Sequence, residues 1–289
     1  MSRVIRISSD RLNIDIAEPG YAYGGQRFDW TGFVLQAELD KTHTYCAYED
    51  TIPMKGTGGI GLCGAFECMN EDNYDITPVG GHFINIGIGL VKKPDDAPYF
   101  FARGLPVAPF PTAINKLGKD AVRFEQVSGE CNGFRYRYNK TLSVDGNVLF
   151  ISSELQNIGI KPIHTREFNH NFICIDGHPI GPDYRLSLPY TPELDIKHGA
   201  FAVEPGRVSP EAFSSGSFFA NIRNHGGALN HFWELAHLPT GASIRETGDF
   251  AVDRFDLWGR PHVISPEIFV KIGIEPGETF KWSRKYEFD

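Results

Sequence analysis

Apolar and polar side chains alternate along much of this chain, and this period of two limits the folds that the chain can adopt. Successive side chains of a β-strand point to opposite faces, so an alternating run predicts a strand with one buried face. Clear runs of one parity are Leu12, Ile14, Ile16; Phe134, Tyr136, Tyr138; and Phe280, Trp282, Tyr286, Phe288. No long stretch shows the helical period with caps, and residues 111–117 form at most a short helical turn. The pattern therefore predicts an all-β protein.

Turn residues separate the apolar runs at intervals of about 8–12 residues, which is typical of a β-sandwich or barrel. Further runs cover residues 33–39, 83–92, 121–127, 168–175, 218–222, 231–238, 250–257 and 266–274. The strongest hairpin signal is Asp145-Gly146, because a type I′ turn favours Asp-Gly at its centre. Without a linker-like segment or an internal repeat, residues 1–289 are expected to form a single β domain.

Composition and charge exclude several classes of protein. The 289 residues carry 28 Lys+Arg against 36 Asp+Glu, a net charge of −8, and 41% are hydrophobic. This is enough apolar material for a packed core, and an acidic chain is a poor nucleic-acid binder. No apolar run is long enough to predict a membrane span, and the N-terminus does not resemble a secretion signal. The five cysteines lack CxxC spacing, so we expect reduced thiols and a cytoplasmic location.

A glycine-rich stretch, Gly56-Thr57-Gly58-Gly59-Ile60-Gly61, matches the G-x-G-x-x-G pattern of dinucleotide-binding loops. That pattern binds a pyrophosphate only between a strand and a helix, and no helical period follows here. A tight connection, or a loop that brings backbone close to a ligand, is favoured instead. Cys63 and Cys68 also lack the spacing of a zinc site, so neither a metal nor a cofactor is predicted.

Polar side chains are concentrated where the run at 168–175 begins. The segment from His164 to Asn171 contains two histidines, an arginine, a glutamate and two asparagines. His164, Arg166 and His170 have the same parity and would share one face of a strand. Burying so many polar groups is costly without a ligand or partners, which favours a binding site. The alternative is the polar outer face of an edge strand.

Glu267 is a carboxylate within an otherwise apolar strand, Val263-Ile264-Ser265-Pro266-Glu267-Ile268-Phe269-Val270. Burial there would raise its pKa, which suits a general base. The alternative is a salt bridge between Glu267 and a nearby arginine.

Together these features resemble the aldose 1-epimerase (galactose mutarotase) family. The matching motifs are Gly24-Gly25-x-Arg27-Phe28-Asp29, then Leu155-x-Asn157-x-Gly159-x-x-Pro162 leading to Asn169-His170-Asn171-Phe172, and Glu267 before Glu275-Pro276-Gly277-Glu278. The resemblance implies a large antiparallel β-sandwich and an isomerase that interconverts sugar anomers by acid–base ring opening. It implies His170 as the general acid and Glu267 as the general base, without a cofactor or a metal.

Four further residues are expected near the sugar: Asn169, Arg166, His82 and Trp258. His82 follows Gly80-Gly81, whereas the mutarotases carry a His-Gly-Gly motif, so His82 is a candidate second histidine. Trp258 could stack on a pyranose ring or pack in the core. Arg166, Arg103 or Arg260 could bind a phosphate or another anionic substituent.

Two other functions fit the same residues. One is a non-catalytic carbohydrate-binding protein on the same fold, and the other is an epimerase that acts on a sugar phosphate. In every case the expected partner is a small sugar, with no nucleic acid and no membrane.

Overall fold

The computed structural model describes residues 3–52, 57–68, 71–226 and 231–289. Regular structure in these ranges is almost entirely β, which confirms the prediction from the alternating pattern. The strands are β1 (Val4–Ser8), β2 (Leu12–Ala17), β3 (Phe33–Leu39), β4 (His43–Thr44), β5 (Leu62–Phe66), β6 (His82–Asn85), β7 (Gly89–Lys92), β8 (Val107–Pro109), β9 (Thr112–Lys116), β10 (Ala121–Val127), β11 (Tyr136–Asp145), β12 (Val148–Asn157), β13 (Ile163–Asn171), β14 (Tyr184–Ser187), β15 (Glu193–His198), β16 (Phe201–Glu204), β17 (Arg207–Pro210), β18 (Phe218–Arg223), β19 (Phe232–His237), β20 (Ser243–Gly248), β21 (Arg254–Arg260), β22 (Val263–Ile274) and β23 (Thr279–Phe288). The helical segments are α1 (Glu71–Asp75) and the 3₁₀ turns Phe101–Arg103 and Ile175–Gly177. In the described residues, no helix has both the length and the apolar character that crossing a bilayer requires.

The strands form two large antiparallel sheets and one small one. Sheet I has ten strands in the order β1-β2-β3-β5-β13-β22-β21-β18-β15, with β4 paired to β3. Sheet II also has ten strands, in the order β16-β17-β14-β19-β20-β23-β12-β11-β10-β9, and sheet III consists of β6-β7-β8. Sheets I and II stack face to face, because the main cluster of buried apolar side chains draws on both of them. This is the large antiparallel β-sandwich that the sequence predicts.

Local predictions from the sequence succeed where strands are long. The runs at 33–39 and 121–127 coincide with β3 and β10, and residues 136–157 form the predicted hairpin of β11 and β12. The turn of this hairpin differs from the predicted one, which was centred on Asp145-Gly146. Asp145 pairs with Val148, so the loop is Gly146-Asn147. Only Gly146 has a positive φ there, at 54°, which is typical of a type II′ turn rather than type I′.

Two other local interpretations are settled by the structure. The possible helical turn at residues 111–117 is wrong, because Thr112–Lys116 is strand β9, paired with β10. Gly56 of the glycine-rich stretch lies outside the described residues. The rest of that stretch leads directly into strand β5 rather than into a helix, so the dinucleotide-binding arrangement does not form.

A buried ionic network lies between the two large sheets. Arg284 on β23 pairs with Glu167 on β13, with 2.8 Å from Nη2 to Oε2, and also with Glu246 on β20. The indole N–H groups of Trp282 and Trp233 donate to the same two carboxylates. Arg284 is 2% exposed, and the two glutamates are similarly buried. Each carboxylate thus has both a charged and a neutral donor inside the core.

We expect Arg284→Met to lower the free energy of unfolding by about 3–5 kcal/mol, because it leaves two buried carboxylates without a counter-charge. Urea denaturation at neutral pH measures the loss. The control on the same strand is Lys281→Met, since Lys281 is 72% exposed and pairs with Glu154 at the surface. Its effect should stay below about 1 kcal/mol. Equal losses in the two variants would contradict this interpretation of the network.

Candidate active site

A cavity of about 950 Å³ opens on the face of sheet I that is turned away from sheet II. Five adjacent strands, β5, β13, β22, β21 and β18, form its floor, and residues of loops and of helix α1 form its walls. The floor residues are Ala65, Phe168, His170, Glu267, Phe269, Arg254, Asp256, Trp258, Arg260 and Phe219. The wall residues include Arg27, Glu49, Thr57, Glu67, Tyr74, Tyr99, Phe101 and Phe172.

His170 and Glu267 lie opposite each other at the centre of this floor. Strands β13 and β22 pair in register as far as Phe168 and Phe269, and an isolated bridge joins Ile173 to Ile264 further along. Both strands advance by the same number of residues between these points, which places His170 across from Glu267. Atom Nε2 of His170 is 3.8 Å from Oε2 of Glu267, and both side chains are buried.

The two strands separate at this position because the backbone ladder is interrupted. Pro266 has no N–H group to donate to a neighbouring strand. Side chains replace the missing backbone bonds: the N–H of Asn171 donates to Ser265 Oγ at 3.0 Å, and Asn171 Nδ2 donates to the Pro266 carbonyl. Ser265 Oγ in turn donates to Oε1 of Glu267 at 2.8 Å. One carboxylate oxygen is thereby held, and the other faces His170.

Arg27 enters the cavity from the loop before β3. That loop is fixed by Asp29, which is buried and pairs with Lys140 of β11 in sheet II at 2.7 Å. The guanidinium of Arg27 pairs with Glu49 at 3.0 Å, and its Nη2 lies 2.9 Å from Nε2 of His170. A contact between this loop and sheet II therefore sets the position of an arginine beside the histidine.

The geometry around His170 indicates a neutral imidazole. A guanidinium can only donate, so Nε2 of His170 is the acceptor of the bond from Arg27. Nδ1 then carries the proton, and it is buried with no hydrogen-bond partner among the described residues. The ring packs against Phe28, Phe168 and Phe172. This burial lowers the pKa of His170 well below its ordinary value, and the charge of Arg27 lowers it further.

The pKa of Glu267 is shifted in the opposite direction. Burial raises the pKa of its carboxyl group from 4.5 to about 8, and nearby Asp256 contributes to the rise. Arg27, Arg254 and the hydroxyl of Ser265 oppose this shift without cancelling it. At neutral pH the carboxyl group of Glu267 is therefore protonated, and His170 is the neutral imidazole.

Of the four residues expected to contact a sugar, only Trp258 lines the cavity. Its ring meets that of Phe172 edge to face, with 6.0 Å between the centroids. Asn169 is on the inner face of β13, where its side chain donates to the hydroxyl of Tyr286 in sheet II. The alternation that turns His170 outward turns its neighbour inward, so the expected role of Asn169 does not fit the structure.

The positions of Arg166 and His82 also differ from the expectation that both lie near the sugar. Arg166 is on the same face as His170, but its guanidinium is held outside the cavity by Asp253 and Glu67. His82 begins β6 of sheet III, is exposed and does not line the cavity. Of the other arginines considered for an anionic group, Arg103 pairs with Asp95 away from the cavity, and Arg260 is on its floor.

Sequence reasoning missed several residues that line the cavity, above all Arg27, Glu49, Arg254 and Asp256. Arg27 is part of the Gly24–Asp29 motif, which was the one available signal. The other three are ordinary charged residues of loops and strands, and only the packing brings them together. No group of three or more His, Cys, Asp or Glu side chains in the described ranges is arranged to hold a metal ion.

Comparison with solved structures shows that the chain has the galactose mutarotase-like fold. A protein from Escherichia coli K12, provisionally described as an aldose 1-epimerase, superposes with a TM-score of 0.64 at 10% identity, over 99% of this chain and 98% of that one. A galactose mutarotase related enzyme from Lactobacillus acidophilus gives 0.63 at 10% identity, over 99% and 97%. An aldose epimerase homologue from C. elegans gives 0.56 at 12% identity, over 100% and 99%. No family model and no curated protein matches the sequence.

The raised pKa of Glu267 predicts how stability depends on pH. The folded state binds the carboxyl proton more tightly than the unfolded state does, with a pKa of about 8 against 4.5. This stabilisation is complete below pH 4.5 and is lost as the pH rises through 8. The Glu267→Gln variant lacks this titration, so above pH 8 it should be more stable than wild type, by an amount of the order of a few kcal/mol.

Urea denaturation at a series of pH values tests this expectation. Glu154→Gln is the control, because Glu154 pairs with Lys281 at the surface and its pKa is lowered rather than raised. If the wild type and Glu267→Gln lost stability equally at alkaline pH, Glu267 would not hold a proton in the folded state.

Proposed function

We propose that the protein is a mutarotase of the aldose 1-epimerase type, which interconverts the α and β anomers of a sugar. The supporting observation is the pairing of His170 and Glu267, 3.8 Å apart on the floor of an aromatic-lined cavity. Mutarotation requires one group that protonates the ring oxygen and another that removes the proton of the C1 hydroxyl. The descriptions of the neighbours with the same fold support this activity.

In the proposed step, the carboxyl group of Glu267 gives its proton to the ring oxygen while Nε2 of His170 accepts the proton of the C1 hydroxyl. The bond between C1 and the ring oxygen breaks, and a carbonyl forms at C1. After rotation about the C1–C2 bond, the two transfers run in reverse and close the ring on the other face. Both protons return to their original groups, so no other reactant is consumed.

This direction of proton transfer is the reverse of the one that the family resemblance implies, with His170 as acid and Glu267 as base. The reversal follows from Arg27, whose donated hydrogen bond keeps Nε2 of His170 unprotonated. In the proposed complex the C1 hydroxyl replaces Arg27 as the donor to Nε2. Arg27 retains its ion pair with Glu49.

We propose an uncharged sugar as the substrate rather than a sugar phosphate. The three arginines that line the cavity in the described residues all pair with carboxylates: Arg27 with Glu49, Arg254 with Glu67 and Asp256, and Arg260 with Asp50. A phosphate would have to compete with a carboxylate for each of these guanidinium groups, and it would bring a second negative charge close to that carboxylate, where like charges repel. The arrangement therefore favours hydroxyl groups as ligands.

A non-catalytic carbohydrate-binding protein on this fold is the second candidate, because aromatic walls favour sugar binding with or without catalysis. That candidate predicts His170 and Glu267 side chains too far apart to act on one ring. Their separation of 3.8 Å favours the enzyme.

Both residues of the pair should be necessary for activity. We expect Glu267→Gln and His170→Asn each to lower kcat/KM by about 10²- to 10⁴-fold, because each removes one proton-transfer group. Polarimetry on freshly dissolved α-glucose and α-galactose measures the rate, after subtraction of the spontaneous reaction in the same buffer. Glu154→Gln and His198→Asn, both away from the cavity, are the matched controls. Unchanged rates in both active-site variants, with an active wild type, would rule out this mechanism.

The pH dependence of kcat/KM distinguishes the two directions of proton transfer. With Glu267 as the donor, activity should fall as the pH rises through about 8, where its carboxyl group loses the proton. On the acid side, activity should persist to well below pH 6.5, because His170 stays neutral there. A fall on the alkaline side near pH 6.5, the ordinary pKa of histidine, would instead identify His170 as the donor.

A further inference from the structure

The cavity is wider than ring opening of a single sugar requires. Its floor runs from β5 across β13, β22 and β21 to β18. Four spacings between neighbouring strands, at about 4.8 Å each, give a floor about 19 Å wide. A pyranose ring with two opposite hydroxyl groups spans about 6 Å, which is four single bonds of about 1.5 Å. One ring therefore covers about a third of the floor.

The reacting ring has a fixed place on this floor. It must contact both His170 on β13 and Glu267 on β22, which are adjacent strands. Phe219 is on β18, two strands beyond β22, at a distance of about 10 Å in the plane of the sheet. A ring held between His170 and Glu267 does not reach Phe219, yet Phe219 lines the same cavity. The proposed reaction leaves this part of the cavity unused.

The unused part has the character of a sugar-binding surface. Phe219 and Trp258 are direct cross-strand partners on β18 and β21, and their side chains share the cavity face. Aromatic faces that border a polar cavity are suited to the apolar faces of sugar rings. On the other side of the pair, the cavity continues past β5 to Tyr74 and Tyr99, whose rings pack edge to face with each other and with Phe83. Trp258 and Phe219 are only partly buried, so the aromatic surface for a second ring is on the side of β21 and β18.

We propose that this protein takes an uncharged reducing disaccharide or longer oligosaccharide, with the reducing-end ring at His170 and Glu267 and the next ring on Trp258 and Phe219. The placement of the reducing end rests on the proposed function, since only that ring has a free anomeric hydroxyl. The second ring is bound through contacts that take no part in proton transfer. The substrate class follows from the width of the floor and from the position of the two aromatic residues.

Comparison of monosaccharides with reducing disaccharides tests the proposal. Polarimetry with glucose, maltose, cellobiose and lactose should give a higher kcat/KM for at least one disaccharide than for glucose. Phe219→Ala should raise KM for that disaccharide by roughly three- to tenfold, the value of one aromatic contact. The conservative variant Phe219→Trp should keep KM for that disaccharide close to the wild-type value. The control is Phe150→Ala, because Phe150 is an exposed phenylalanine on β12 of sheet II.

Binding measurements separate this proposal from the proposed function. Calorimetric titration of the Glu267→Gln protein with the same sugars reports affinity without turnover. Tighter binding of a disaccharide than of glucose, lost in the Glu267→Gln/Phe219→Ala double variant, supports the second-ring site even if the wild type does not accelerate mutarotation. Rapid mutarotation of glucose, with no disaccharide bound or turned over better, would overturn the second-ring site and leave the proposed activity in place.

Discussion

Strand β13 is buried along its inner face and, at His170, on its outer face as well, and the rest of the structure depends on the alternation of its side chains. On the inner face, Glu167 holds the guanidinium of Arg284, and on the outer face, His170 lies on the cavity floor. A slip of one residue in register would exchange the two faces. It would leave Arg284 buried without Glu167, at a cost of several kcal/mol. The ionic network in the core thus opposes the slip that would remove His170 from the cavity.

The site lies where the regular backbone hydrogen bonding of sheet I is interrupted. Pro266 interrupts the ladder between β13 and β22, and the side chains of Asn171 and Ser265 compensate for the lost backbone bonds. Ser265 also binds Oε1 of Glu267, so the repair of the ladder orients the carboxyl group. The interruption of the ladder and the orientation of the carboxyl group therefore have one structural cause.

Much of the fold could be predicted from the sequence, because alternation is a local property of each strand. The place of Trp258 in the cavity could also be predicted from the local sequence. The family resemblance predicted that His170 and Glu267 would lie together. Asn169 was assigned to the site because it adjoins His170, although neighbours on a strand face opposite ways. Arg27 was missed because it is 143 residues from His170 in sequence and reaches it only when Asp29 pairs with Lys140. Such distant contacts leave no periodic signal.

The charged groups of the cavity bear both on the proton of Glu267 and on our proposal of an uncharged ligand. Arg27 and Arg254 lower the pKa of Glu267, but burial raises it by more. The arginines of the cavity are also poor receptors for a phosphate, because the carboxylate beside each of them repels a second anion. An unpaired arginine in the cavity would attract an anion and at the same time favour ionisation of Glu267. Glu49 and Glu67, which take no direct part in the proposed proton transfer, therefore bear on the charge of the ligand that we propose for the cavity.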